Sequence, residues 1–380
     1  GSQGFSPLPA QADQHLRVKR PAPTFAGMSD ALIRHIQQGQ RALADRDYQA
    51  AHQELSRAVH LVEDHDAGTA LTDMQLAELY LGRGTALWYQ DEAETYRDPD
   101  IFHQVLNDLE QAIDILPAQP QYRNLRGRLY LQAVHDDYLP LAREDFDAAL
   151  AQDPHNADAL KNLGELLARE HRYDAAIDHF TRSLDQQIDK ETYLLRGKAH
   201  FLRIPPDYRA AAADFGQAQE LLPGLAELYH WRAQCFQEMG EWETAVQEYD
   251  RLIDLYPEEP GYYVDGGVLK LERDEAAALD DFDRALEIAP HVLAYNNRAA
   301  LLRLRGQHEA AVQDARAALD LDPSAGVAHA TLAEIYADLG DRSKLYEHLA
   351  QALQTYYDDV VEVMSEPAFE PYVQEAAFQA

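Results

Sequence analysis

Residues 29 to 355 are expected to fold as an all-α solenoid of about nine stacked helical hairpins, on three periodic features of the chain. A small residue recurs at Gly39, Gly84, Gly127, Gly164, Gly197, Ala233, Gly266, Ala299 and Ala333, and the last five intervals are 33, 36, 33, 33 and 34 residues. Within an interval, apolar residues fall at i, i+3, i+4 and i+7 in two successive blocks, with no alternating run that would mark a strand. A proline closes most intervals. A period of this length describes hairpins that bury their apolar faces only by stacking on one another, so the expected task is to present an extended surface.

The first 28 residues stand apart. Pro7, Pro9, Pro21 and Pro23, with the basic run Arg17, Lys19 and Arg20, predict an extended arm. Its Phe5, Leu8, Leu16, Val18 and Phe25 are expected to dock on this solenoid or on a neighbouring copy. Gly1-Ser2 reads as a cloning remnant ahead of a chain that begins earlier, which leans toward a removed export leader over a piece of a cytoplasmic protein.

The first hairpin ends at Glu63 without a proline and is followed by a polar loop to about Thr72. The second places Val105 where other second helices start an alanine pair, and it carries an acidic insertion near Asp91 to Asp100. The fourth shows the unit most cleanly. Ala157 opens its first helix, Leu160, Leu163, Gly164 and Leu167 form the inner stripe, Glu170-His171-Arg172 turns the chain, and Ala176, Phe180, Ser183 and Leu184 carry the second helix. Elsewhere the second helix repeats alanines seven residues apart, as in Ala51/Ala58, Ala142/Ala149, Ala211/Ala218, Ala278/Ala285 and Ala311/Ala318. A bulky residue sits between them, among Leu55, Leu109, Phe146, Phe180, Phe215, Tyr249, Phe282 and Leu349, so that large meets small across the hairpin. Pro117, Pro154, Pro223, Pro257, Pro290 and Pro323 then stop the second helix, because proline lacks the amide donor and its ring clashes with the preceding turn. The last hairpin runs into Tyr356-Tyr357 and a segment with Val360, Val361, Phe369 and Tyr372, and a capping helix with a tail is expected over 356–380.

Charge and motif content narrow the function. Lys plus Arg total 33 against 66 Asp plus Glu, a formal net charge of −33, which disfavours nucleic acid, whose binding needs cations against phosphate. No run approaches the 18 or so apolar residues of a membrane-spanning helix, so no direct membrane insertion is expected. The single Cys235 rules out an intrachain disulfide and a cysteine zinc site. No nucleophile elbow, phosphate loop, dinucleotide fingerprint or HExxH helix occurs, and neither catalytic residues nor a cofactor are expected. One cluster, His60, Glu63, Asp64, His65 and Asp66, has metal-binding side chains, but it lies where a helix runs out into a polar loop and is read as solvated rather than as a metal site.

The small residue, the alanine pair, the bulky residue and the closing proline together resemble the tetratricopeptide repeat family over residues 29 to 355. That resemblance implies a right-handed superhelix whose first helices line a concave groove. Carried over repeat by repeat, it puts Leu81, Trp88, Tyr89, Arg128, Leu131, Lys161, Asn162, Leu195, Lys198, Phe201, Trp231, Tyr263, Lys270 and Arg303 on the groove wall. Aromatic anchors flanked by both signs of charge suit a peptide or helix of a protein partner, which makes the chain a non-catalytic adaptor; the alternative is self-assembly, with the arm of one copy in the groove of the next. The carboxylate clamp of some family members is broken here, since Glu165 follows Lys161 and Asn162 where its asparagine would stand and the next repeat offers Leu195.

Overall fold

The computed structural model describes residues 30–64, 71–90, 98–133, 136–271, 273–355 and 367–372. The N-terminal arm, His65 and Asp66, most of the acidic insertion and most of the C-terminal tail lie outside them. The described residues are helical throughout, and the chain divides into two compact units, 1–166 and 167–380.

The first unit holds α1 (Asp30–Ala44), α2 (Tyr48–Asp64), α3 (Asp73–Gln90), α4 (Pro99–Ile115), α5 (Pro120–Gln132), a 3-10 turn (Asp136–Tyr138), α6 (Leu139–Gln152) and the start of α7 (Ala157–Arg169). Here α1 packs on α2, α3 on α4 and α5 on α6. The second holds α8 (Tyr173–Gln186), α9 (Lys190–Leu202), α10 (Tyr208–Leu221), α11 (Ala226–Glu238), α12 (Trp242–Leu255), α13 (Pro260–Lys270), α14 (Glu275–Ile288), α15 (Val292–Leu304), α16 (His308–Leu321), α17 (Gly326–Asp338), α18 (Arg342–Thr355) and a 3-10 turn (Pro367–Tyr372). In it α9 pairs with α10, α11 with α12, α13 with α14, α15 with α16 and α17 with α18. The expected repeat solenoid is what the chain forms.

Each periodic residue has a physical task. Two residues past the last helical position of α4, α6, α10, α12, α14 and α16 stand Pro117, Pro154, Pro223, Pro257, Pro290 and Pro323. The residue between is driven out of helical geometry by the proline ring, as at Asp153 (φ −135°, ψ 91°) and Ala289 (φ −157°, ψ 151°). First helices end in a left-handed residue at Gly240 and Gly306 (φ 73° and 71°), where a side chain would be strained.

The small residue faces the bulky one as expected. A Cβ built on Gly127 would stand 2.6 Å from the Phe146 ring, and one on Gly197 2.7 Å from Phe215. The seventh hairpin corrects the sequence reading by one residue. There the Phe282 ring lies 2.6 Å from a Cβ built on Gly267, whereas one built on Gly266 meets nothing closer than 3.5 Å. The turn after α13 is tighter than its counterparts. The Asp274 amide returns to the Lys270 carbonyl, four residues back, where Gln307 reaches five back to Leu302, and this rotates α13 by one residue against α14.

A second recurrent contact accompanies the glycine and ring. The residue before the small one is Arg83, Arg126, Arg196, Arg232 or Arg298, and each pairs with a buried acid on the second helix of its own hairpin, which stands before the bulky residue in the first four cases and before Ala315 in the last. Arg126 and Arg196 bind Asp145 and Asp214 through two hydrogen bonds of 2.7–2.8 Å each. Arg298 does the same to Asp314 and reaches Asp283 of the preceding second helix at 2.7 Å; Arg196 reaches Thr181 at 3.0 Å. One guanidinium therefore ties a hairpin together and fixes it against its predecessor, with the bidentate geometry that suits arginine. In the seventh hairpin this position is Asp265, and Lys270 takes over the buried Asp281 at 2.7 Å.

Where the capping segment is described it is a 3-10 turn, not an α-helix. It closes the end of the stack: Phe369 is buried against α17 and α18, and the Tyr372 hydroxyl donates to the Ala337 carbonyl at 2.7 Å.

Candidate functional site

The residues assigned to the groove wall divide between the two units. In the first unit several are interior. Trp88 of α3 is 1% exposed, stacked on Tyr89 at 5.6 Å, with the Arg128 guanidinium of α5 over both rings at 5.2 and 5.7 Å. Leu131 is fully buried. Asn162 is buried as well and donates to Asn124 of α5 at 2.9 Å, a rung between neighbouring first helices that satisfies two amides where water is excluded. Leu81 packs on the core of α1 to α4. Tyr89, Arg128 and Lys161 are partly exposed.

In the second unit Tyr263 is 9% exposed, and its hydroxyl donates to the Pro257 carbonyl at 3.3 Å. Lys270 turns toward the second helices, against Asp281 and Asp250. Arg303 is held by Glu334 at 2.7 Å and Asp338 at 2.9 Å of α17. Trp88, Leu131, Asn162, Tyr263 and Lys270 are thus corrected from groove wall to interior or to the other side of the hairpin.

Lys198, Phe201 and Trp231 come together, on α9 and α11, while Leu195 is partly exposed on α9. The Phe201 ring meets Trp231 edge-on at 5.2 Å and Tyr208 of α10 at 5.1 Å, and Trp231 lies on Phe215 at 6.0 Å. Phe201, Tyr208 and Trp231 remain partly exposed, each with one side on the core that includes the buried Cys235. Glu227 orients the indole: it accepts from Trp231 Nε1 at 3.2 Å and from Lys198 Nζ at 2.6 Å, and Lys198 sits 5.7 Å from the indole centre. The sequence reading missed the turn between α9 and α10, two residues longer from Gly197 to Ala211 than the twelve from Gly164 to Ala176. Leu202, 47% exposed, ends α9 and Ile204, 93% exposed, lies in the turn, both between Phe201 and Tyr208 in sequence. Phe201, Tyr208 and Trp231 thus form a ring cluster fixed by packing, close in sequence to the open Leu202 and Ile204 and flanked by the Lys198–Glu227 ion pair.

Of the cluster His60, Glu63, Asp64, His65 and Asp66, the last two lie outside the described residues. Glu63 accepts from the Tyr80 hydroxyl at 3.4 Å, and among the described residues no three His, Cys, Asp or Glu side chains are arranged to hold a metal ion. No helix among them is long and apolar enough to cross a membrane.

Comparison with known proteins agrees with the geometry. Residues 139–190 match the tetratricopeptide repeat family model. The human mitochondrial import receptor subunit TOM70 is 27% identical over 177 residues, 43% of this chain and 28% of the relative. A DnaJ homolog subfamily C member 7 homolog from Dictyostelium discoideum is 28% identical over 158 residues, 37% of this chain and 28% of the relative. The chain thus spans under a third of the length of these relatives. Among solved structures, the C-terminal part of a TPR repeat-containing protein from Cytophaga hutchinsonii superposes with a TM-score of 0.50 at 15% identity, over 67% of this chain and 95% of that one.

Proposed function

We propose that this tetratricopeptide repeat protein is a non-catalytic scaffold that holds a peptide or helix of a protein partner against Leu195, Lys198, Phe201 and Trp231. Proteins of this family mediate protein–protein interactions and are typically without catalytic groups of their own, and similarity to an import receptor subunit accords with such a role. The observation that carries the reading is the ring cluster of Phe201, Tyr208 and Trp231, with the open Ile204 close in sequence. An isolated exposed leucine is ordinary, but a contiguous apolar patch with locked rings is how partner surfaces are built. The partner is expected to offer an apolar or aromatic side chain for the patch and a cation to meet the surplus of acids around it.

The test compares capture of partners from the native cell by the parent chain, by Phe201→Ala with Trp231→Ala, and by Leu202→Ser with Ile204→Ser. The second pair is exposed and leaves the core intact. Both double variants should lose about 2–4 kcal/mol of affinity for a partner once it is purified, as hot-spot truncations do. Unchanged affinity in the Leu202 and Ile204 variant, with helicity intact, would move the site elsewhere. Light scattering on the same samples separates this reading from self-assembly, which would show concentration-dependent growth.

A further inference from the structure

In the first unit an open cavity of about 470 Å³ lies between α2, α3 and α4. On α2, His52, Ser56 and His60 follow each other at intervals of four and so form one line along the helix, all three in the cavity wall. On α4, His103 and Asn107 repeat the same interval from the facing side. Arg83 of α3 closes the floor. Its Nε and Nη2 donate to Asp108 at 2.9 and 2.5 Å, leaving the Nη1 donors uncommitted. Among the described residues the side chains of His52, Ser56, His60 and Asn107 make no hydrogen bond or ion pair.

The chemistry of this lining runs against the rest of the chain. In a protein with twice as many acids as bases, the cavity collects three imidazoles and a guanidinium, and its one carboxylate is already committed to that guanidinium. The imidazoles are not a metal ligand set, since no three such groups converge on one point among the described residues. We propose that the cavity binds a small oxyanion of the phosphate class, with Arg83 supplying charge and His52, Ser56, His60 and Asn107 supplying hydrogen bonds. Burial, and then the neighbouring Arg83, hold His52 below the ordinary histidine value against the opposing pull of Asp108. A bound anion offsets the Arg83 charge and favours the imidazolium, so binding takes up a proton and strengthens as the pH falls.

The experiment titrates the full chain with inorganic phosphate at constant ionic strength, observing the histidine ring nitrogens by NMR, with chloride as control and O-phosphoserine in parallel. Saturable shifts at His52 and His60 are expected, and the affinity for sulfate, an oxyanion whose charge is constant in this range, should rise severalfold between about pH 7.5 and 6. His60→Ala with Asn107→Ala, both at exposed positions that the fold does not use, should weaken binding roughly tenfold, one charge-assisted hydrogen bond's worth. Tighter binding of phosphoserine than of phosphate would identify a phosphomonoester as the ligand; the reverse, a free anion. Shifts that chloride reproduces, no saturation by roughly 10 mM phosphate, or equal affinity in the double variant would overturn the proposal.

Discussion

Adjacent glycines in α13 should respond to the same substitution with opposite signs. Gly266→Ala adds a methyl that meets Asp281 Oδ2 at 3.5 Å and the side chains of Ile253 and Tyr249 at 3.7 Å, ordinary contact distances. It also removes the backbone entropy penalty of glycine in a helix, so a gain of about 0.5–1 kcal/mol follows. Gly267→Ala places the methyl 2.6 Å from Cε1 and 3.0 Å from Cδ1 of Phe282, a ring that is fully buried and has nowhere to go. Overpacking of this kind costs about 1–3 kcal/mol, which outweighs the helix term and leaves a net loss of about 1–2. The two variants should differ by about 2 kcal/mol, roughly a thirtyfold change in the local folding equilibrium. Urea denaturation followed by far-UV circular dichroism reads this as a shift in midpoint at unchanged slope. If Gly266→Ala is the less stable variant, the one-residue rotation of α13 is wrong and the repeat is in the register its sequence first implied.

Arg298→Met strands the Asp314 carboxylate, which is 8% exposed, and should cost about 2–3 kcal/mol, below the range for fully buried pairs because the guanidinium is partly open to water. Arg305→Met, which loses a 3.8 Å ion pair with Glu275 and an exposed 3.3 Å hydrogen bond to its carbonyl, should change stability by less than about 0.5 kcal/mol in the same melts. Burial pushes the Cys235 thiol up to about 12, so a thiol reagent at mildly alkaline pH should leave the folded chain unlabelled and modify it on unfolding; fast labelling of native protein would contradict the packing. His348 Nδ1 lies 3.0 Å from His329 Nδ1, and burial, His329, Arg316 and Lys344 together hold its pKa below 6.5 against Glu347. The unfolded chain then takes up that proton more readily than the folded one, so this stability is present above about pH 6.5 and is lost as pH falls through the folded value. His348→Gln should flatten the slope of stability against pH below neutrality, and an unchanged slope would show that other groups set it.

Much of the fold was legible in the chain, for reasons that particular residues make plain. A proline two residues past a second helix can mean little else than its end, and a glycine at Gly127 or Gly197 followed by Phe146 or Phe215 declares a hairpin contact. The arginine and acid pairs were also written there, as Arg before the small residue and Asp or Glu before the bulky one or, once, before Ala315. They went unread because within a single repeat both positions look solvent-facing, and only the preceding second helix closes over them. The α13 shift was invisible because the spacing from Gly266 to Phe282 is the ordinary sixteen.

What the chain alone determined was the helical class, the prolines that end second helices and the small-against-large packing at Gly127 and Gly197, because these follow from periods local to each repeat. Exposure was decided elsewhere. Trp88, Leu131 and Phe201 each stand four residues after the small residue of their helix, yet the first two are buried and the third is partly open. The helical period is the same for all three. Their fates differ because burial depends on what neighbouring elements set beside them: Arg128 spreads over Trp88, whereas Phe201 rests one side on the core and meets Trp231 and Tyr208 at steep angles, and keeps part of its ring in solvent.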